Sequence, residues 1–212
     1  MTLRTLFAGL TMAALIGAGA SVYADQHDDH HEHAGAGQFD EAAWYAANGP
    51  NENHARLKFF VGEWHATMRM AMSRDMTPEE GEFDSSFTLV MGGRFVEERV
   101  TSETPAGLFE ARGLMGYDNH KQRYVSTWYD NMSTTVHSHE GYWDDGSKTL
   151  EFIGEAPDVL TGETKKVRVV LERLGRDVFT AREWAYEDDG SRWLRFAAEY
   201  RRKASSPARG AE

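Results

Sequence analysis

From Gly62 to Lys203 the chain alternates apolar and polar residues with a period of two, and turn signals interrupt the pattern at short, regular intervals. This alternation constrains the fold more than any other feature. Successive side chains of a strand point to opposite faces, so a one-sided apolar pattern means half-buried strands. The breaks fall at Gly92-Gly93, Pro105-Ala106-Gly107, Asp118-Asn119, Asp144-Asp145-Gly146, Pro157 to Gly162, Gly175 and Asp188-Asp189-Gly190. Between them lie candidate strands near 62–73, 81–91, 94–104, 108–117, 122–131, 134–143, 148–155, 165–174, 177–187 and 192–202. Trp64, Ala66, Met68, Met70 and Met72 share one face of the first. Phe83, Phe87, Leu89 and Met91 share one face of the second, and Val167, Val169 and Leu171 one face of the eighth. Hairpin-length links between such strands predict an all-β, antiparallel up-and-down meander. A long meander leaves exposed edges unless it closes, so the expectation is a barrel of about ten strands.

What precedes the strands is different in kind. Met1–Ala24 has a short basic start at Arg4, an apolar run from Leu6 to Ala18, and small residues at Val22 and Ala24. That is the layout of a cleaved secretory signal, and the run is too short for a membrane span of about 20 apolar residues. Cleavage after Ala24 is expected, with Ala20 the nearest alternative, and the product is periplasmic or secreted. Residues 25–38 form a His/Asp-rich stretch with too little apolar surface to bury, expected to be a disordered tether. The domain is expected over 39–203, with helical pieces at 40–47 and 52–60 separated by Asn48-Gly49-Pro50, and a disordered tail over 204–212.

Charge and cysteine content narrow the classes of partner. The chain has a formal net charge of −11 and no cysteine. An acidic surface repels nucleic-acid phosphates and anionic lipid. In an oxidising compartment no disulfide helps the fold, so the core must hold it alone. A cysteine-free chain also has no thiol nucleophile. It lacks a Gly-x-Ser-x-Gly elbow and a His-Glu-x-x-His pair, so nothing in the sequence specifies catalysis.

Several polar residues sit inside strand patterns: Arg99, Trp128, Asp130, His137, His139, Arg182, Glu183 and Glu199. In a small barrel one face of every strand points to a lumen that can hold one small ligand. Lumen candidates are therefore Trp128, Asp130, His137, His139 and Arg99, with Met68 and Met70 as an adaptable apolar lining. Trp128 with Asp130 suits a ligand with an apolar body and a polar head. The plainer reading makes Trp128 a packed aromatic and Asp130 a cap for the Asn131–Ser133 turn. His137-x-His139 places two imidazoles on one face, a partial metal site needing a third ligand such as His65 or Asp130. An acid/base pair of Glu97 with His137 is a further arrangement the sequence allows.

Gly62-Glu63-Trp64 at the start of the first strand and Arg201-Arg202 at the end of the last resemble the calycin barrels. There a Gly-x-Trp tryptophan packs under an arginine of the final strand. A longer set of motifs stands in order: Val61-Gly62-Glu63-Trp64, Met91-Gly92-Gly93-Arg94-Phe95, Gly113 to Asn119, Tyr124 to Thr134, Glu140-Gly141, Thr161-Gly162 and Tyr200-Arg201-Arg202-Lys203. Together they resemble the DUF1579 family over about residues 53–203. The resemblance implies a lipocalin-like barrel closed by Trp64, Arg201 and Arg202, and it brings no substrate or catalytic residue. The related nitrobindins hold haem through a late histidine. Here the last is His139.

His27, His30, His31 and His33, interleaved with Asp28, Asp29 and Glu32, make the densest set of metal-binding side chains. Imidazole and carboxylate suit copper, nickel or zinc, and cleavage after Ala24 would add a free α-amine with His27 in third position. A solvated histidine-rich linker is the plainer reading. Three functions thus stand: an exported carrier of a small amphipathic or apolar ligand, a metal-handling protein using the tract, and a barrel enzyme using lumen carboxylates and histidines.

Overall fold

The computed structural model describes residues 39–105, 107–158 and 161–204. The signal Met1–Ala24, the histidines His27, His30, His31 and His33, and the tail from 205 onward lie outside the described residues.

Two short helices come first. α1 (Glu41–Ala47) is capped by Asp40, whose side chain accepts from the Ala43 amide, and it buries none of its side chains. α2 (Glu52–Leu57) starts with an Asn51 capping box closed by His54. Satisfying the first free amides lets so short a helix persist. Its value lies in what it delivers, because Leu57 and the following Phe60 are buried at 1% and 0% exposure. No helix among the described residues is long and apolar enough to cross a membrane.

Ten strands follow: β1 (Gly62–Met70), β2 (Glu79–Val90), β3 (Phe95–Thr104), β4 (Gly107–Asp118), β5 (Arg123–Asp130), β6 (His137–Asp144), β7 (Thr149–Pro157), β8 (Thr164–Arg173), β9 (Val178–Tyr186) and β10 (Arg192–Arg202). Each pairs antiparallel with its neighbours in chain order, and β1 pairs with β10 to close the barrel. Closure removes both edges, as the long meander requires. β1 ends at Met70, so Met72 lies in the following loop. Leu89 and Met91 are exposed where β2 runs into a tight turn whose Gly92 and Gly93 have positive φ.

Antiparallel order places alternate links at opposite ends. α2 and the turn after it enter the end where β1 begins. There Leu57, Phe60, Trp64, Phe87, Val96, Met115, Tyr124, Leu150, Phe152, Phe179 and Tyr200 form one buried cluster. Each such side chain contributes roughly 1.5–3 kcal/mol by leaving water. Phe179 sits at its centre, with ring centroids 4.8 Å from Trp64, 5.1 Å from Phe60 and 4.2 Å from Tyr200.

The same end is locked by Arg202. Its guanidinium carbon lies 4.1 Å from the Trp64 ring centroid, and it donates to the carbonyls of Val61 (2.6 Å) and Phe59 (2.7 Å). The Trp64 indole donates to the Phe60 carbonyl at 2.6 Å. Gly62 has φ +132, and a Cβ there would run into the Arg202 guanidinium. The glycine of Gly-x-Trp is thus where the arginine passes. Arg201 takes no part: it points outward, exposed and paired with Glu199. The period of two forces this, since adjacent strand residues face opposite ways.

Candidate functional site

Toward the other end the inward side chains change character. Met68, Met70, Phe83, Trp128, His137, Val169, Glu183 and Phe196 are half-buried, although the barrel wall surrounds them. Neither helix packs at that end. The lumen is therefore plugged at the α2 end and accessible to water from the other.

Register lines up its polar wall. Glu98 of β3 is opposite Gly113 of β4, Gly113 opposite Trp128 of β5, and Trp128 opposite His137 of β6. A second line runs Met115, Ser126, His139, Gly154 and Val167. The two glycines make room. A Cβ on Gly113 would sit 3.3 Å from Trp128 Cε3 and 3.4 Å from Glu98 Oε2, and one on Gly154 would overlap the His139 ring. Glycine within a strand here marks the close approach of a neighbouring side chain.

Glu98 is the deepest carboxyl. Its Oε1 accepts from Ser85 Oγ at 2.8 Å and from the Tyr200 hydroxyl at 3.4 Å. Burial pushes its pKa up to about 7, against the pull of those two donors. Burial, with Glu98 beside it, likewise holds Tyr200 protonated, well above the ordinary phenol. His139 Nδ1 lies 3.3 Å from Ser126 Oγ, and burial, helped by neighbouring His137, brings its pKa down to about 4. His137 is lowered by burial first and Arg195 second. Both imidazoles are neutral at pH 7.

Asp130 does two things at once. Its Oδ1 accepts from the amides of Met132 and Ser133, capping the turn, while Oδ2 accepts from the Trp128 indole at 3.3 Å. Asp130 thus caps the turn and holds the Trp128 indole on the same inward face.

Arg195 enters through an irregularity. The β9–β10 register shifts between Leu194 and Phe196, and the extra residue is Arg195. A bulge re-aims a side chain that alternation would place otherwise. Arg195 lies 3.3 Å from Glu183, whose pKa burial raises and Arg195 lowers.

Other sequence candidates fall outside. Arg99 is exposed on the outer wall, paired with Glu97, and Glu97 faces outward with it. The acid/base pair of Glu97 with His137 is therefore split by the wall; the inward carboxyl is Glu98. Its position was legible in Val96-Glu97-Glu98-Arg99-Val100, where the two valines fix the parity. Arg182 and Glu199 also point outward, Arg182 to Glu172 and Glu199 to Arg201. His65 lies on the exterior against Asp84, far from a role beside His137. The rings of His137 and His139 are parallel at 6.5 Å, and no three His, Asp or Glu side chains converge on one point among the described residues. A depression of about 630 Å³ is lined mostly by outward residues such as Thr67, Arg69, Glu82, Thr180, Arg182 and Glu199, together with Met68 and Ala198, on β1, β2, β9 and β10 away from the polar line.

The sequence matches the family described as "Protein of unknown function (DUF1579)" over residues 49–202. The chain belongs to that family. No curated protein matches it. Among solved structures it is similar to the S-type phycobiliprotein lyase of Guillardia theta, with 10% identity, 76% of this chain and 97% of that one covered, and a TM-score of 0.47. It is also similar to a de novo designed fluorescence-activating β-barrel, with 15% identity, coverage of 69% and 95%, and a TM-score of 0.38. The motif Gly-x-Trp with its terminal arginine, the α2 plug and the polar line of this DUF1579 barrel all fall inside the matched span.

Proposed function

We propose that this DUF1579 protein is an exported carrier that holds one small amphipathic or apolar ligand in its lumen. One observation carries the reading: side chains enclosed by the barrel wall remain in contact with water, and they divide into two walls. Met68, Met70, Phe83, Val169 and Phe196 form a mainly apolar side, broken by Glu183 between Val169 and Phe196, and Glu98, Ser126, Trp128, Asp130, His137 and His139 a polar one. Concave sites with an apolar lining and a few fixed polar groups are where small molecules bind. Export rests on Met1–Ala24, and N-terminal sequencing of the cell-derived protein tests it.

Native mass spectrometry of that protein should show an organic adduct of constant mass. Ala198→Phe projects a ring into the lumen beside Met68 and should remove the adduct, while Arg201→Ala on the exterior should retain it. An adduct that survives in a folded Ala198→Phe variant, or saturable one-to-one Nile red binding unaffected by it, would end the carrier reading. Metal binding by His27, His30, His31 and His33 is a separate role. Copper or nickel titration of the mature chain against one lacking residues 25–37 tests it, and equal affinities would dismiss it.

A further inference from the structure

The lumen's hydrogen-bonding groups are unevenly committed. On the donor side, the Ser85 and Tyr200 hydroxyls are both spent on Glu98 Oε1, and the Trp128 indole is spent on Asp130. Two cations on the open half are also tied: Arg195 to Glu183, and Lys165 to Glu163, Glu187 and Asp188. On the acceptor side, Glu98 Oε2 has no partner among the described residues. Trp128 stands across Gly113 from it, and a Cβ on Gly113 would come within 3.4 Å of both Glu98 Oε2 and the Trp128 ring. His139 keeps a second ring nitrogen beyond the one at Ser126, which can donate or accept according to the proton shared with Ser126. What is left over in the depth of the lumen is an acceptor across Gly113 from an aromatic ring.

We propose that Glu98 Oε2 receives the ligand's polar head, so that the ligand is an apolar molecule bearing a hydrogen-bond donor, a primary amine above all, and not a carboxylate. The proposal rests on the carrier reading and gives it a ligand class. An ammonium at Glu98 Oε2 would pair with the carboxylate, with the Trp128 ring across Gly113 on the same inward line, and both favour a cation. A carboxylate head would face the lone pairs of Glu98 and Asp130, with the nearest guanidinium already neutralised by Glu183. A carboxyl that titrates at about 7 can also be ionised by an arriving ammonium at little cost. The alkyl body would then run along Met68, Met70 and Phe196 toward the mouth.

The test uses three probes with one chain length and different heads: dodecylamine, 1-dodecanol and dodecanoate, titrated below their micellar range into the full mature chain by calorimetry. Dodecylamine should bind one-to-one and at least about tenfold tighter than dodecanoate. Glu98→Gln should weaken dodecylamine by about tenfold or more and leave dodecanol within about threefold. Dodecanoate binding as tightly as the amine would overturn the ligand class while leaving the carrier reading in place. Amine binding unchanged by Glu98→Gln would mark adsorption to the acidic exterior and overturn the role of Glu98. Failure of all three probes to bind the folded chain would remove the carrier reading itself. The head-group comparison on the unmodified protein decides the matter even where the variant does not fold.

Discussion

The two halves of this barrel use the same residue types for opposite ends. At the α2 end Trp64 is fully buried, its indole bonded to a backbone carbonyl and its face covered by Arg202. At the open end Trp128 is half-buried, its indole bonded to Asp130 and its ring across Gly113 from Glu98. The first tryptophan is held on every side by groups that need nothing further. The second belongs to a set with an acceptor to spare. One half is packed for stability, and the other keeps polar groups enclosed at a cost that packing alone does not offset.

The largest expected effect breaks that contrast directly. Trp64→Ala should lower unfolding stability by about 4 kcal/mol, as large aromatic deletions in packed cores do, whereas Trp128→Ala should cost about 1 kcal/mol. Urea denaturation of the two variants checks it, and equal losses would erase the distinction between the halves.

Next comes pH. Glu98 has a folded pKa of about 7 against 4.5 unfolded, so the native state binds more protons and stability falls as pH rises between those values. Glu98→Gln should therefore raise stability above pH 7 by up to about 3 kcal/mol, with the gain vanishing below pH 4.5. His139 works in the other direction. Its folded value of about 4 lies below the ordinary 6.5, so it lowers stability as pH falls through that window, and His139→Gln should remove up to about 3 kcal/mol of acid sensitivity. Thermal unfolding across pH 4–8 reads both, and a flat difference for either variant would place that side chain in water.

The glycines sharpen the comparison within the open half. Gly154→Ala should cost about 2 kcal/mol, since the His139 ring and the Ser138 carbonyl occupy the space, while Gly113→Ala meets milder crowding, 3.3 Å from the Trp128 ring, that a small side-chain shift relieves, and should cost under about 1 kcal/mol. The smallest effects separate the neighbouring arginines. Arg202→Ala should destabilise by about 2 kcal/mol, through its two carbonyl bonds and the Trp64 face, and Arg201→Ala by less than about 0.5 kcal/mol. Thermal melts of the two would show comparable shifts only if the closing geometry were different.

Much of the fold was legible because a period of two is a local property. The strands, the turns and the closing tryptophan follow from alternation and from Gly, Pro and Asp at the breaks. Parity by itself places Trp128, Asp130, His137 and His139 on inward faces and sets Glu98 between Val96 and Val100. Reading Arg99 as a lumen residue ignored that same parity, since 99 cannot face inward where 96 and 100 do. Arg195 is another matter. Only the register shift at Leu194/Phe196 turns it toward Glu183, and a shift of pairing has no signature in one strand's own sequence.

The sequence by itself determined that the chain forms about ten half-buried strands, which residues share each face, and that a barrel closes over a Gly-x-Trp motif. Tertiary structure alone decided which neighbours those faces meet: Glu98 with Trp128, His139 with Ser126, Arg195 with Glu183. Alternation is written residue by residue along one strand, but cross-strand partners depend on register and closure, which are set only when all ten strands pair at once.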